Sequence, residues 1–424
     1  MTMFILLILW LILIFIGVPL YLSLGSISLL YVILTDANLV IIPQKISMAA
    51  NSFPLLAAPF FILMGNIMNF SGVTNRIFKF ADVLVGWLRG GLGHANVVAS
   101  MIFAGMSGAA VADAGGLGTI EIESMRKAGY DDDFSCAVTA ASSTIGPIIP
   151  PSLPMIIYGA QSETSIGKLF MAGLIPGILM GIALMIMVEY KARKNNYPYQ
   201  KWQGFKVLFK AFIDAFWALM APVILLVGIV RGVFTPTEAA TVAAFYALIL
   251  GLFVYKEFDI KELPKLMLGT VSTNGVVLGL VMTAMSFGYT LTIAKIPQMA
   301  GEHLLQISSN PIIILFLINV FLLFIGLFME ATAAMLILIP VFNPVILSLG
   351  IDPVQFGIIV ILNLMIGTIT PPVGVVLSVT ANIAGVPFDR VSKATFPFLI
   401  PLLIVLLLVT YVPVITLLLP TIFN

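Results

Sequence analysis

Gly146-Pro147-Ile148-Ile149-Pro150-Pro151 interrupts one apolar segment of this chain, and Gly367-Thr368-Ile369-Thr370-Pro371-Pro372 interrupts another, 221 positions further on. The same offset, without a gap, pairs Gly105 with Gly326, Gly129 with Gly350 and Asp131 with Asp352. A proline lacks the N–H that a helix needs, and its ring clashes with the carbonyl one turn back. Two adjacent prolines inside a long apolar segment therefore leave backbone carbonyls unpaired. Lipid offers no donor to satisfy them, so such a break must face protein, a cavity or an ion. The chain reads as two related halves, each built around one broken segment.

Composition places both halves in a bilayer. Of 424 residues, 60% are hydrophobic and 9% charged, with a mean hydropathy of +1.14. That is more apolar surface than a soluble fold of this size could cover, and long apolar runs recur from end to end. The apolar N-terminus continues into the body without a basic leading region, which reads as a span rather than a cleaved signal. The single cysteine, Cys136, excludes an internal disulfide or a cysteine metal cluster. The two histidines, His94 and His303, are too few for an all-histidine metal site. A net charge of +1 carries no message about nucleic acid, and no basic arm is present, so no nucleic-acid partner is expected. No glycine loop ending in Lys-Ser/Thr is present to cradle ATP.

The apolar segments fall at 2–17, 19–34, 47–70, 92–125, 133–162, 167–190, 212–230, 237–255, 265–293, 311–347, 353–385 and 395–420. Segments 92–125 and 311–347 exceed the ~20 residues of one crossing and carry small or polar residues midway. They read as re-entrant helical hairpins. The halves, 1–190 and 212–424, then hold five crossings and one hairpin each, an odd number that inserts the second half upside down. Under that topology only Lys45, Lys168, Arg231 and Lys295 of the 20 basic residues lie outside, a strong positive-inside bias. The bias does not decide whether residues 1–34 cross once or twice; the symmetry favours twice. Segment 191–211 joins the halves. Its lysines, with Trp202, Phe205 and Phe209 at spacings of three and four, predict a helix lying along the cytoplasmic membrane surface. The fold class is an all-α polytopic membrane protein, an inverted repeat with two re-entrant hairpins (about 92–125 and 311–347) and two broken helices (about 133–162 and 353–385). Matching broken segments in two halves point to the binding site of a secondary transporter.

In the first hairpin, Ser107-Gly108 can turn the chain at a tip inside the membrane, freeing the carbonyls of Ser107 and Ala109. The first break adds those of Gly146, Ile149 and Pro151. A cage of carbonyls suits a hard cation such as sodium. The 221 offset gives a second set: Gly326, Phe328 and Glu330 with Gly367, Thr370 and Val373. Asp113 and Glu330 are carboxylates in apolar hairpins, where a charge costs ~2.5–3.5 kcal/mol. Each reads as a participant near the ion or as a cap on the second hairpin arm, with function favoured for Glu330. Ser107, Asp113, Ser143, Thr144, Asn319, Asn363 and Thr368 could line a substrate cavity between the tips and breaks, although a hydroxyl in a helix more often bonds its own backbone. Ser142, Ser152 and Thr370 add polar groups there. Helices restarting after the breaks would point positive ends inward, toward a carboxylate-bearing substrate. Asp131-Asp132-Asp133 reads as a helix cap, and Thr235 or Thr237 with Glu238 as another.

Four stretches together resemble one family. Gly-Met-Ser-Gly-Ala-Ala-Val-Ala-Asp at 105–113, Gly-Pro-Ile-Ile-Pro-Pro-Ser at 146–152, Phe-Thr-Pro-Thr-Glu-Ala-Ala at 234–240 and Gly-Thr-Ile-Thr-Pro-Pro-Val-Gly at 367–374 are similar to the large membrane subunit of tripartite ATP-independent periplasmic (TRAP) transporters, members of an ion-transporter superfamily of elevator proteins. The likeness covers essentially the whole chain. It implies sodium-driven secondary uptake across the bacterial inner membrane by an elevator mechanism, without a cofactor beyond sodium as coupling ion. It also implies two partners: a small four-helix membrane subunit, expected here as a separate chain, and a soluble periplasmic substrate-binding protein. The family's sodium sites support Ser107, Ala109, Gly146, Ile149 and Pro151 in one place and Gly326, Gly367, Thr370 and Val373 in the other. Ala109 stands where other members can carry a hydroxyl. Family substrates are carboxylates, with sialic acid preferred here over C4-dicarboxylates on general similarity. A binding-protein-independent carrier or antiporter of the same superfamily is the main alternative. An intramembrane enzyme lacks a nucleophile–base pair, and a channel fits the paired breaks less well than a closed ion cage.

Overall fold

The computed structural model describes residues 2–257, 259–308 and 310–423, and every regular element among them is helical. The first half begins with α1 (Thr2–Phe15), α2 (Leu20–Leu34) and α3 (Ile41–Ala50). A 3-10 turn over Phe53–Leu56 then leads into α4 (Ala57–Phe70), followed by α5 (Val73–Val85). The first hairpin is α6 (Gly91–Ser107), α7 (Ala110–Gly115) and α8 (Leu117–Lys127). The first broken segment is α9 (Asp132–Ser143) and α10 (Leu153–Ser162), and α11 (Ile166–Asn195) completes the half. The second half runs through α12 (Phe205–Val230), α13 (Pro236–Ile249), α14 (Leu263–Ile293) and α15 (Ile296–Ile307). Its hairpin is α16 (Pro311–Gly326) and α17 (Ala331–Ser348), and its broken segment is α18 (Pro353–Thr368) and α19 (Val375–Ala384). The described chain ends with α20 (Phe388–Tyr411) and α21 (Val414–Ile422).

The 221-residue offset seen in a few motifs extends to whole elements. It carries α5 onto α15, α6 onto α16, α7 with α8 onto α17, α9 onto α18 and α10 onto α19. It also sets α1 and α2 against the end of α12 and against α13; α12, and α13 with its π-helical continuation to Val254, are separate elements each long and apolar enough to cross a membrane. Residues 2–34 are likewise two helices packed on each other.

The halves interlock. α2 packs on α14 and, reciprocally, α4 packs on α13. Around the breaks, α9 is covered by α19 and α20, while α18 lies against α10 and α11. Half-helices of 10 and 12 residues cannot cross a ~30 Å hydrocarbon core alone, and packing against the other half shields their ends from lipid. Glycines permit the approach. Gly173 and Gly177, one turn apart on α11, lie directly against the backbone of Ile148 and the side chain of Ile149 in the first break.

Several sequence expectations are corrected. Segment 47–70 is not one helix: α3 ends at Ala50, and Pro54 restarts the chain in a 3-10 turn. Segment 395–420 begins earlier, at Phe388, and splits before Pro413. The surface helix expected over 191–211 is absent: α11 runs to Asn195, residues 198–204 are extended or irregular, and Phe205 begins α12, which continues to Val230 without a stop. Asn196 in the left-handed region ends the first helix. Pro198 and Gly204 keep the intervening stretch open, and Trp202 precedes the helix that carries Phe205 and Phe209. Helices α5 and α15 were not anticipated, although α5 turns Val73, Ile77, Phe78 and Ala81 inward at helical spacing.

Candidate functional site

The first hairpin turns where the sequence is smallest. α6 stops at Ser107, Gly108 adopts φ +60°, and Ala109 is extended (φ −144°, ψ 122°) before α7 begins. Gly108 is required twice over: its φ is left-handed, and a β-carbon there would lie 2.7 Å from the Pro151 carbonyl oxygen. The tip thus rests on the break. Residues 144–152 are buried throughout, and Pro150–Pro151 is a cis peptide, as is Pro371–Pro372 at the related position. Among the described residues, the carbonyls of Ser107, Gly146, Ile149 and Pro151 accept no hydrogen bond, whereas that of Ala109 accepts the Asp113 N–H at 3.0 Å. Ser152 starts α10: its hydroxyl accepts from the Met155 N–H at 3.2 Å and donates to the Pro147 carbonyl at 2.5 Å.

Asp113 connects tip and break. It is 1% exposed. One carboxylate oxygen accepts the Ser107 hydroxyl, while the other has no partner among the described residues and lies against Gly146, where a β-carbon would collide with it.

The second hairpin repeats this plan with a more open result. The Gly326 and Gly367 backbones touch: a β-carbon on Gly367 would lie 2.6 Å from the Gly326 Cα. The Val373 N–H reaches the Leu327 carbonyl at 3.4 Å, tying break to tip. Among the described residues, the carbonyls of Gly326, Phe328 and Thr370 accept no hydrogen bond. That of Gly367 accepts the Thr370 N–H at 3.0 Å, and that of Val373 the Ser378 hydroxyl at 3.5 Å. Phe328 is 52% and Val373 44% exposed, unlike any residue of the first break.

Glu330 has the capping geometry that the sequence reading ranked second. Its carboxylate accepts the Ala333 N–H at 3.0 Å and the Thr332 hydroxyl at 2.9 Å, closing the start of α17. The hydroxyls of Ser143, Thr144 and Thr368 donate to carbonyls three residues back, at 2.6–2.8 Å. Asn319 and Asn363 bond each other: Asn363 donates to Asn319, and Asn319 donates to the Thr410 hydroxyl at 3.0 Å, while the Asn363 side-chain oxygen has no partner among the described residues. The first half has a related network, in which Asn96 donates to Thr139 and Ser142 donates to Asn96, both at 2.7 Å. Ser142 and Asn363 are 221 positions apart, so in both halves polar side chains bind the first hairpin arm to the broken helix.

One buried carboxylate was overlooked in the sequence. Glu121 on α8 is 1% exposed and has an unpartnered oxygen among the described residues. Its alignment with buried Leu117, Ile122 and Met125 on one helical face was the available signal.

The triple aspartate is a junction more than a cap. Asp131 holds the N-cap position of α9 without a side-chain cap bond, its carboxylate accepting instead the Tyr197 hydroxyl at 2.6 Å. Burial, with that bond, pushes the Tyr197 phenol pKa up. Asp132 pairs with Arg126 at 2.6 Å and Asp133 with Arg390 at 2.9 Å. Asp352, the counterpart of Asp131, caps normally, at 2.7 Å from the Val354 N–H.

Comparison with known proteins agrees with this architecture. The family described as tripartite ATP-independent periplasmic transporter, DctM component, matches residues 7–415. The sialic acid TRAP transporter large permease protein SiaM of Vibrio cholerae is 47% identical, over 98% of this chain and 97% of its own. The sialic acid permease protein SiaT of Haemophilus influenzae is 43% identical over 97% of this chain and 67% of its own. The C4-dicarboxylate large permease protein DctM of Pseudomonas aeruginosa is 40% identical over 89% and 88%. In fold alone, the chain is similar to the Alcanivorax borkumensis YdaH transporter, with a TM-score of 0.64 at 14% identity, covering 87% of this chain and 86% of that one. A family match across nearly the whole sequence, carried by a doubled hairpin-and-break architecture, means that this chain belongs to the DctM family: it is a TRAP transporter large permease, an inner-membrane transport subunit and not an enzyme.

Proposed function

We propose that this subunit takes up a carboxylate substrate in symport with sodium, moving it by an elevator mechanism. The observation that carries the reading is the recurrence, among the described residues, of unpaired backbone oxygens at related places, Ser107 with Phe328 and Ile149 with Thr370, joined by those of Gly146 and Pro151 in one half and Gly326 in the other. Neutral oxygen donors inside a bilayer suit an alkali cation, which needs no counter-charge beyond partial dipoles. Asp113 supplies the one carboxylate joining tip to break in the first half.

Sodium bound between a tip and its break would hold the two together and complete the substrate site beside them. The ion's charge and the N-terminal ends of α10 and α19 would then stabilise the substrate carboxylate. The hairpins and broken segments form the moving body in this scheme. The interlocked α2, α4, α13 and α14 belong to the fixed frame, since contacts drawn from both halves resist separation. The names of the relatives at 47% and 43% identity favour sialic acid, with C4-dicarboxylate the second substrate type. The partners in this reading are a small membrane subunit and a periplasmic binding protein that delivers the acid.

Proteoliposomes holding the large and small subunits test it. Sialic acid uptake should require an inward sodium gradient and the binding protein. Uptake undiminished without the gradient refutes the coupling, and uptake without the binding protein favours a single-component carrier.

A further inference from the structure

The transport reading leaves one groove unused. It lies between α5 and α12, encloses about 350 Å³ and is lined by Phe80, Leu84, Phe205, Leu208, Phe209 and Phe212. The α12 members recur at three- and four-residue spacing and so share one helical face. Phe205 and Phe209 are 80% and 66% exposed. Trp202 stands edge-on to Trp87 and to Phe205, with ring centroids 6.3 and 5.6 Å apart.

The exposed charge beside the groove is mainly basic, with Asp82 of α5 held by Gln200. Lys206 and Lys210, one turn apart, occupy the strip of α12 next to the lining face, Lys79 neighbours Phe80, and Lys201 precedes Trp202. All four are exposed, and none has a carboxylate within ion-pair distance among the described residues. Arg76, Arg126, Arg193 and Arg390 on the same side of the membrane all do. Asp214, one turn beyond Lys210, is the nearest acidic residue on that strip.

We propose that this groove seats an anionic phospholipid, its acyl chain along the phenylalanines and its phosphate among Lys201, Lys206 and Lys210. An apolar groove alone would accept any lipid tail; the unpaired lysines select the headgroup. Basic residues at the cytoplasmic surface attract anionic lipid, and tryptophan favours headgroup depth. The seated lipid would brace the connection between halves. The linker residue Gln200 bonds the Gly86 carbonyl at 3.0 Å through its N–H and the Asp82 carboxylate at 3.1 Å through its amide, which fastens it to the end of α5, one wall of the groove.

The test uses the full chain with Trp10, Trp87 and Trp217 replaced by phenylalanine, leaving Trp202 as sole indole. It is placed in phosphatidylcholine–phosphatidylglycerol bilayers in which one lipid or the other is brominated. Quenching should give phosphatidylglycerol a relative affinity on the order of tenfold at this site, and K206Q/K210Q should bring that ratio close to one. In the unaltered tryptophan background, phosphatidylglycerol should raise the melting temperature of the parent chain and not of K206Q/K210Q. Equal quenching by both lipids, or a preference that survives the lysine changes, overturns the proposal. So does a groove closed by protein: loss of quenching when the small subunit is present, with Lys206→Cys cross-linking to it.

Discussion

Gly367→Ala tests whether the second site depends on backbone contact between hairpin and break. The added β-carbon would lie 2.6 Å from both the Cα and the carbonyl carbon of Gly326. Carbon atoms pack best at about 3.5–4.0 Å, so α16 and α18 must part by on the order of 1 Å. Backbone cannot rotate away as a side chain can, and overpacking of this kind costs about 1–3 kcal/mol. The same displacement separates the carbonyls of Gly326 and Phe328 from that of Thr370. If 1.4 kcal/mol of it falls on the ion, sodium half-saturation rises about tenfold. Thermal denaturation in detergent reads the first effect, and sodium titration of uptake in proteoliposomes reads the second. Gly269→Ala on α14 is the control: nothing lies within 4 Å of its β-carbon position, and losing a helix glycine stabilises by up to about 1 kcal/mol. A Gly367→Ala protein with parental melting temperature and sodium dependence would refute the close-contact account.

Four further outcomes follow from the geometry. Gly146→Ala drives a β-carbon onto the free Asp113 oxygen; uptake should fall sharply while the gel-filtration profile stays monodisperse. Ser142→Ala removes a bond that Asn96 accepts at 2.7 Å and should lower stability by about 1 kcal/mol, leaving the sodium half-saturation unchanged in transport assays. Glu330→Ala removes the cap of α17 and should cost about 1 kcal/mol in thermal denaturation, most of it restored by Glu330→Asn, which can still cap. A double-mutant cycle on Arg390 and Asp133, whose side chains are 63% and 28% exposed, should give a coupling of at most about 1 kcal/mol that fades in high salt.

The sequence made the breaks readable because proline acts locally: wherever Pro150-Pro151 and Pro371-Pro372 sit, the helix must stop. The turn at Ser107-Gly108 was readable on an equally local ground, since Gly108 tolerates the left-handed φ it adopts there. The roles of Asn319, Asn363 and Glu330 were not. An asparagine at 319 could face a cavity or a neighbouring helix, and only the position of Asn363 and Thr410 decides. Glu330 read as a carboxylate near an ion or as a cap, and the structure adds that its carboxylate accepts from two donors at the start of α17. The surface helix expected after residue 191 failed because aromatic spacing was read across Gly204, where the chain is not helical.

By itself, then, the amino-acid order determined membrane residence, the duplication at 221 residues and the two interruptions, all consequences of hydropathy and backbone chemistry. Tertiary structure alone decided that α4 packs on α13 and α2 on α14, that Gly326 meets Gly367, and that the first break is buried while Phe328 and Val373 at the second are exposed. The reason is that lipid and protein interior are equally apolar: hydrophobic residues report that a surface avoids water, and the packing of one half against the other selects which of those surfaces meet protein.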